Sequence, residues 1–533
     1  MIGHASEPAS TRGDTRGRDR GPGVRAAAWR RLLGRPETAL FVAALVSYAY
    51  FYQAGGWNQN SRFDMVRAIV EGGTASIDAY HENTNDKARI GDSYYCDKAP
   101  GVSWMAVPPY AVARLVLPRA DGDDVAEARF LAFAAHVSTV WAIGVPSAVS
   151  VVALALLLGA IGVGERTRLA AAAAYGLGTL AFPYSTLLYG HQVAASFTLC
   201  AFALLVRARH AGGAGPLLLA GVGALLGGAV VVEYPSALTA IVIAAYAATF
   251  VRPLHRLAWL AAGAAVPCAA LALYHAVVFG GPLALPYDFS TQKNRSRGFF
   301  MGLGVPDGAV LWQILLSPHR GLFFSSPWLA LSVPGAVRMA RARAGALRAE
   351  AATCLAIALL HLWLNASLAD WQGGWGTGPR YLVPAIPFLA VLAAALALPA
   401  TSKGTSGARA LRRTAWAFAA AAALCSAFLM LAATAVKPEV PVRERHPFGA
   451  YILPRLAKGE LAIRTQSIDS IRSTPGHDAP DPLRVEHAWN LGQRAGLDGL
   501  ASLAPLVAVW VACAGWLVLA VRPRAPSSSA RTP

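Results

Sequence analysis

Residues 101–118 read GVSWMAVPPYAVARLVLP and lead into Asp121-Gly122-Asp123-Asp124. The run is apolar enough to invite a membrane span, and its reading sets the topology around it. A spanning helix needs about 20 mostly apolar residues. Here Pro108 and Pro109 interrupt the run, Pro100 precedes it and an acidic stretch follows. Twelve other stretches are better candidates: 38–54, 129–159, 168–186, 190–207, 215–232, 235–251, 256–279, 321–338, 350–368, 380–399, 412–436 and 501–521.

Charge decides between the readings. The connectors Gly164–Arg168, Arg207–His210, Arg252–Arg256, Arg338–Arg348 and Lys403–Arg413 are basic, and so are both tails. Lys and Arg concentrate in cytoplasmic loops. These connectors are therefore expected on one side, with an even number of spans between successive ones. Five pairs fit: 168–186 with 190–207, 215–232 with 235–251, 256–279 with 321–338, 350–368 with 380–399, and 412–436 with 501–521. The first block then holds 38–54 and 129–159 alone. On that reading 101–118 is a juxtamembrane helix on the outer face, and 55–128 is one long outer loop. Further outer loops fall at 280–320, 369–379 and 437–500, while the cytoplasmic connectors are short.

The expected fold class is thus an all-α polytopic membrane protein. It has about 12 transmembrane helices and a long first extracytoplasmic loop carrying juxtamembrane helices. Residues 1–36 are expected as a disordered basic cytoplasmic tail and 37–436 as the transmembrane domain. Residues 437–500 follow as a small extracytoplasmic segment, 501–521 as the last span and 522–533 as a cytoplasmic tail. Both termini are cytoplasmic on this reading, in a plasma (inner) membrane with the working face outside.

Composition agrees. Hydrophobic residues make up 55% of the 533 and charged ones 14%, with mean hydropathy +0.43. Soluble proteins carry roughly a quarter charged residues. The net charge of +18 argues for no nucleic-acid partner, because the basic residues cluster in the tail (Arg12 to Arg35) and the connectors. Five of six cysteines fall in apolar runs, where Cys acts as a small hydrophobe. Only Cys96 sits in a polar loop, and no zinc-type spacing occurs. About 36 mostly polar residues precede the first apolar run, unlike a cleavable signal peptide. No Walker loop, dinucleotide fingerprint, zinc-protease motif or nucleophile elbow is present.

The first outer loop concentrates the polar chemistry. Trp57 to Gly73 places Phe63, Val66, Ile69 and Val70 on one face at helical spacing, ended by Gly72-Gly73. An amphipathic helix at the membrane surface, capped by Asn or Ser, is expected. Asp78, His81, Glu82, Asp86, Lys87, Asp92 and Tyr94-Tyr95-Cys96-Asp97-Lys98-Ala99-Pro100 follow.

That order, Arg62-Phe63, then a helix, then Tyr-Tyr-x-Asp-Lys-x-Pro, resembles the GT-C superfamily of polyprenyl-phosphate-sugar-dependent glycosyltransferases. It is similar to the bacterial branch of lipid A aminoarabinose transferases and protein O-mannosyltransferases. Arg129, Gly164-Glu165-Arg166, and Arg380-Tyr381 with Pro384 and Pro387 extend the resemblance over roughly 38–400. Gln59 and Asn60 stand where the family has an acidic pair, and His191 or Gln192 where it has an Asp.

The resemblance implies transfer of a sugar from a polyprenyl-phosphate donor to an extracytoplasmic lipid, glycan or protein acceptor. Such a reaction needs a base for the acceptor hydroxyl and cations for the departing phosphate. Asp64 is the base candidate, with Asp97 and Asp86 as rivals. Lys98 is the phosphate candidate by resemblance, with Arg62, Arg320 and Arg380 as helpers. Tyr95, His191, Trp371, Trp375 and Tyr381 are candidates for acceptor or sugar contact. No metal ligands are assigned; no cofactor is implied with certainty, and a divalent cation requirement stays open. Each residue has a plainer reading. Asp64 can pair with Arg67, Lys98 can snorkel, Trp371 and Trp375 can anchor at an interface, and Glu233 can sit in a hairpin turn. A lipid-linked-sugar flippase or transporter, or a non-catalytic lipid-glycan-binding relative, are the alternative functions.

Overall fold

Apolar runs become helices wherever proline and glycine allow. The computed structural model describes residues 34–117, 124–292, 303–398, 406–463 and 488–521. The expected tails lie almost wholly outside the described residues, as do Lys293, Arg295, Arg297 and residues 464–487 of the 437–500 segment. Among the described residues, seven helices are long and apolar enough to cross a membrane: Val125–Ala160, Gly190–His210, Leu254–Phe279, Gly345–Ala366, Arg380–Ala397, Arg413–Val436 and Gly499–Ala520. Pro36–Ala49, Pro216–Val232 and Ser236–Ala248 are shorter apolar helices. The chain is a multi-pass α-helical membrane protein.

Of the twelve expected spans, 38–54 stops as a helix at Ala49, before the strand Phe51–Tyr52, and two others are interrupted within their length. Stretch 168–186 forms the helix Glu165–Leu177 and then the short turn Ala181–Tyr184. Stretch 321–338 forms Leu322–Ser325, a 3-10 turn at Pro327–Leu331, and Ser332–Ala340. Gly178 and Pro183 sit at the first break and Pro327 at the second. Proline lacks an amide proton and clashes with the preceding turn, so a helix does not run through it freely.

Small residues draw the helices together. A side chain at Gly223 would overlap the Leu260 carbonyl, and one at Gly263 would overlap that of Ala220. Gly227 likewise faces Ala264. The helices Pro216–Val232 and Leu254–Phe279 therefore meet backbone to backbone, the close packing by which helices associate in lipid.

Residues 101–116 do form a helix, Gly101–Val116. Val102, Ala106, Tyr110 and Ala113 pack against Phe63, Val66 and Phe130, while Val112, Leu115 and Val116 are exposed. Pro108 and Pro109 lie within it on the outward side.

The loop-one helix spans Trp57–Gly72 and ends at Gly73, which takes φ 63°. Two details differ from expectation. Its N-cap is Gly56, with no side-chain cap. It is also buried on its polar side, from Asn58 through Ala68, and so does not lie on a surface. The polar side is covered by Asn83, Glu439 and Glu233, contributed by three distant segments. A hairpin pairs Lys87–Ile90 with Ser93–Cys96 around Gly91. Thr291 N donates to Lys87 O (3.0 Å) and ties the 280–292 segment to that hairpin. Phe51–Tyr52, just after the first helix, pairs with Trp489–Asn490, ahead of the last one.

A charged clamp holds loop one to the bundle. Arg114 Nη2 lies 2.9 Å from Glu71 Oε1, and its Nη1 donates to Glu127 Oε2 at 3.0 Å. Tyr110 OH also donates to Glu71. At the other end of the helices, His210, Tyr246 and Glu350 meet, with His210 Nε2 2.9 Å from Glu350 Oε1.

Candidate functional site

Four helix ends converge beneath loop one. Gly190–His210 begins there with His191. Pro216–Val232 ends there, followed by Glu233. Gly345–Ala366 runs out toward Leu368. Arg380–Ala397 starts there. Together with Arg62 and Lys98 they enclose a cavity of about 140 Å³. Its apolar wall is Leu303, Leu364, Leu368 and Pro384, and its mouth holds the exposed Asp370.

The cavity's cations are not equally occupied. Lys98 Nζ sits 2.9 Å from Asp86 Oδ2 and 2.7 Å from Asp97 Oδ1, all three buried. Gln292 Nε2 donates to Asp86 at 2.6 Å, and Ser290 Oγ to Asp97 at 3.3 Å. These carboxylates neutralise Lys98 and anchor the 280–292 segment. Arg62 donates through Nη1 to Asn58 Oδ1 (3.0 Å), and its Nη2 lies 4.0 Å from Glu233. Its Nε has no partner. Arg380 is buried over the rings of Tyr189 and Tyr381, at 5.6 and 5.3 Å, and its Nε is also unpartnered. Among the described residues no carboxylate lies within 4.0 Å of its guanidinium. Buried charges are ordinarily paired because leaving water costs several kcal/mol per ion. A buried Arg without an acid is thus a place for an anion.

The glycine-rich loop sets Arg380. Gly373 has φ +68°, and a Cβ there would stand 2.7 Å from Arg380 Nε. No other residue fits both the backbone and the space. Arg320 lies behind this loop, where it donates to the carbonyls of Gly374 (2.8 Å) and Gly376.

The sequence candidates therefore separate. Arg62, Lys98, His191, Arg380 and Tyr381 line the cavity, and Asp86 and Asp97 touch it through Lys98. Arg320 is committed to the glycine loop. Tyr95 packs on Phe279, and Trp371 on His319, both outside the cavity. Trp375 is half-buried in the loop and does not line it. Asp64 is fully buried away from the cavity, where Oδ1 accepts from Asn83 Nδ2 at 3.1 Å. Burial pushes its carboxyl up to about 8 against the pull of Arg67 and Asn83. Among the described residues no group of three or more His, Cys, Asp or Glu is placed to hold a metal.

The chain is similar to ArnT. The structure of ArnT from Cupriavidus metallidurans bound to undecaprenyl phosphate shares 17% identity, covering 93% of this chain and 77% of that one, at a TM-score of 0.47. The oligosaccharyltransferase AglB from Archaeoglobus fulgidus, in complex with an inhibitory peptide and a dolichol-phosphate, shares 11%. It covers 83% and 60% of the two chains at a TM-score of 0.43. Both are membrane glycosyltransferases of the GT-C fold. No protein-family model and no curated protein matches the chain.

Sequence reasoning left several residues in the cavity and behind it unassigned. Glu233 had a signal, an acid between two apolar runs. His361, inside an apolar run, donates to or accepts from Thr239 at 2.9 Å and lines the same cavity. Glu439 had none. It reaches back to Gln59 Nε2 (3.1 Å) and accepts from Tyr189 OH (2.5 Å). Gln59 and Asn60 themselves hold backbone: Gln59 Oε1 accepts from Leu188 N (3.1 Å), and Asn60 Nδ2 donates to Asn83 O (2.9 Å).

Proposed function

We propose that this protein is a glycosyltransferase that moves a sugar from a polyprenyl-phosphate donor to an extracytoplasmic lipid, glycan or protein acceptor. The observation that carries the reading is Arg380, buried without an acidic partner in a cavity shared with Arg62 and Lys98. Arg380 and Arg62 hold the donor phosphate, where a planar guanidinium makes paired contacts. Lys98, already neutralised by Asp86 and Asp97, adds a directed N–H. The apolar wall at Leu303, Leu364 and Leu368 takes the first isoprenoid units. The loop-one end of the bundle faces outward, away from the basic connectors.

Catalysis on this reading is stabilisation of the leaving phosphate by preorganised cations. The test is purified protein in nanodiscs with undecaprenyl-phosphate-linked hexoses and pentoses, reading release of undecaprenyl phosphate. Turnover that Arg380→Gln abolishes supports the transferase. Tight undecaprenyl phosphate binding with no turnover of any donor supports a lipid-glycan-binding role instead. Gln59 and Asn60, amides engaged with backbone where the resembled family has acids, are the observation that keeps this second reading.

A further inference from the structure

The cavity wall holds a pair of titratable groups that the phosphate cradle does not use. His191 Nδ1 stands 3.3 Å from Glu233 Oε2. The histidine is the second residue of one helix, and the glutamate caps the end of the next. Gly190 lets them meet: a Cβ there would lie 2.5 Å from Glu233 Oε2 and 2.6 Å from the Val232 carbonyl.

His191 is only 7% exposed, yet it lines the cavity and makes no hydrogen bond among the described residues. Its ring is held by neighbours. Tyr381 meets it edge-on at 5.7 Å, and Tyr184 and Tyr189 flank it at 6.4 and 6.2 Å. The neighbours hold the ring plane, and Nδ1 faces the Glu233 carboxylate at 3.3 Å. A proton on Nδ1, the form a carboxylate on that side favours, leaves Nε2 as the acceptor in the cavity it shares with Arg62 and Arg380.

We infer that His191, oriented by Glu233, accepts the proton of the incoming hydroxyl in the transfer reaction. The inference rests on the donor reading above. In the step, the acceptor O–H proton passes to Nε2 of His191 as the acceptor oxygen bonds to the sugar's anomeric carbon. The bond from that carbon to the phosphate oxygen breaks, and its electron pair leaves with the phosphate toward Arg62 and Arg380. Glu233 stabilises the imidazolium, which returns its proton to solvent after product departs. The charged and titratable groups facing His191 are Glu233, Arg62, Lys98, Arg380 and His361, with the hydroxyls of Tyr184, Tyr189 and Tyr381.

The experiment uses the full chain in nanodiscs. Undecaprenyl phosphate binding is measured apart from turnover of undecaprenyl-phosphate-linked sugars, with an extract of the source membranes as acceptor, from the lowest pH at which the protein stays folded up to pH 9. His191→Gln should lower kcat by about 10²–10⁴-fold, the usual worth of a general base, and abolish the acidic limb of the pH profile. Its binding of undecaprenyl phosphate should stay near wild type, which also reports an intact fold. Glu233→Gln leaves the imidazole in place and should lower kcat less while shifting the midpoint of that limb. Wild-type kcat with an unchanged profile in both variants overturns the inference and leaves the donor reading standing. So does loss of undecaprenyl phosphate binding in His191→Gln equal to that of Arg380→Gln, which would make His191 part of the cradle. A wild-type protein that turns over no donor removes both.

Discussion

Two charge clusters, one half-buried and one buried, border the same loop, and their central arginines are filled differently. In the clamp, Arg114 is saturated by Glu71 and Glu127, and Tyr110 adds a further donor to Glu71. In the cavity, Arg62 and Arg380 each keep an unpartnered Nε, and Glu233 Oε2 accepts no hydrogen bond. A cluster that only holds the fold gains from filling every hydrogen bond, because an unmet buried group costs about 1–3 kcal/mol. A cluster that must receive a ligand cannot be filled beforehand. The contrast between Arg114 and Arg380 assigns the clamp to stability and the cavity to binding.

The largest expected effects test that division directly. Arg380→Gln should weaken undecaprenyl phosphate binding by about 100-fold or more, the scale for truncating a buried charged contact. Removing it strands no carboxylate, so thermal unfolding of the unliganded protein should barely move. Arg114→Gln should do the reverse. It strands Glu71 and Glu127 and should cost about 2 kcal/mol of stability, with turnover per folded molecule unchanged. If Arg380→Gln unfolds the protein, or Arg114→Gln spares stability and stops turnover, the two clusters have been assigned the wrong way round.

Much of the frame was legible in the sequence. Hydropathy located apolar helices, seven of them among the described residues long enough to cross a membrane, and residues 101–116 form a helix with Val112, Leu115 and Val116 exposed. Lys98 and Arg380-Tyr381 were found by motif and do meet in space. The rest depends on distances that no linear pattern encodes. Asp64, Asp86 and Asp97 look alike in a polar loop; only packing shows one buried against Asn83 and two spent on Lys98. Arg320 reads as a free cation until the glycine-loop carbonyls are seen around it. His191 and Glu233 are 42 residues apart in sequence, and their meeting depends on the absence of one Cβ.

That missing Cβ gives the next prediction. Gly190→Ala forces a methyl against the Val232 carbonyl and the Glu233 carboxylate. Overpacking of this kind costs about 1–3 kcal/mol. Glu233 Oε2, at 2.5 Å from the added carbon, must give way further than Arg62 Nη2 at 3.2 Å, so turnover should drop about tenfold or more while undecaprenyl phosphate binding falls by less. A loss of binding as large as the loss of turnover would mean that Glu233 shapes the cradle instead of orienting His191.

Asp64 supplies the sharpest sign. Its carboxyl is shifted from 3.8 to about 8 by burial. Between about pH 4 and 8 the unfolded chain therefore releases a proton that the folded protein retains. The folded state binds more protons in that window, so stability falls as pH rises through it. Asp64→Asn removes this slope while its Oδ1 can still accept from Asn83. Below about pH 4 the two proteins should melt together; near pH 8 the Asn variant should melt higher, with turnover preserved. The opposite pattern, a variant less stable at pH 8 and inactive at neutral pH, would mean that Asp64 works as a carboxylate. The base would then lie in loop one, and the open cluster around His191 would be a binding surface only.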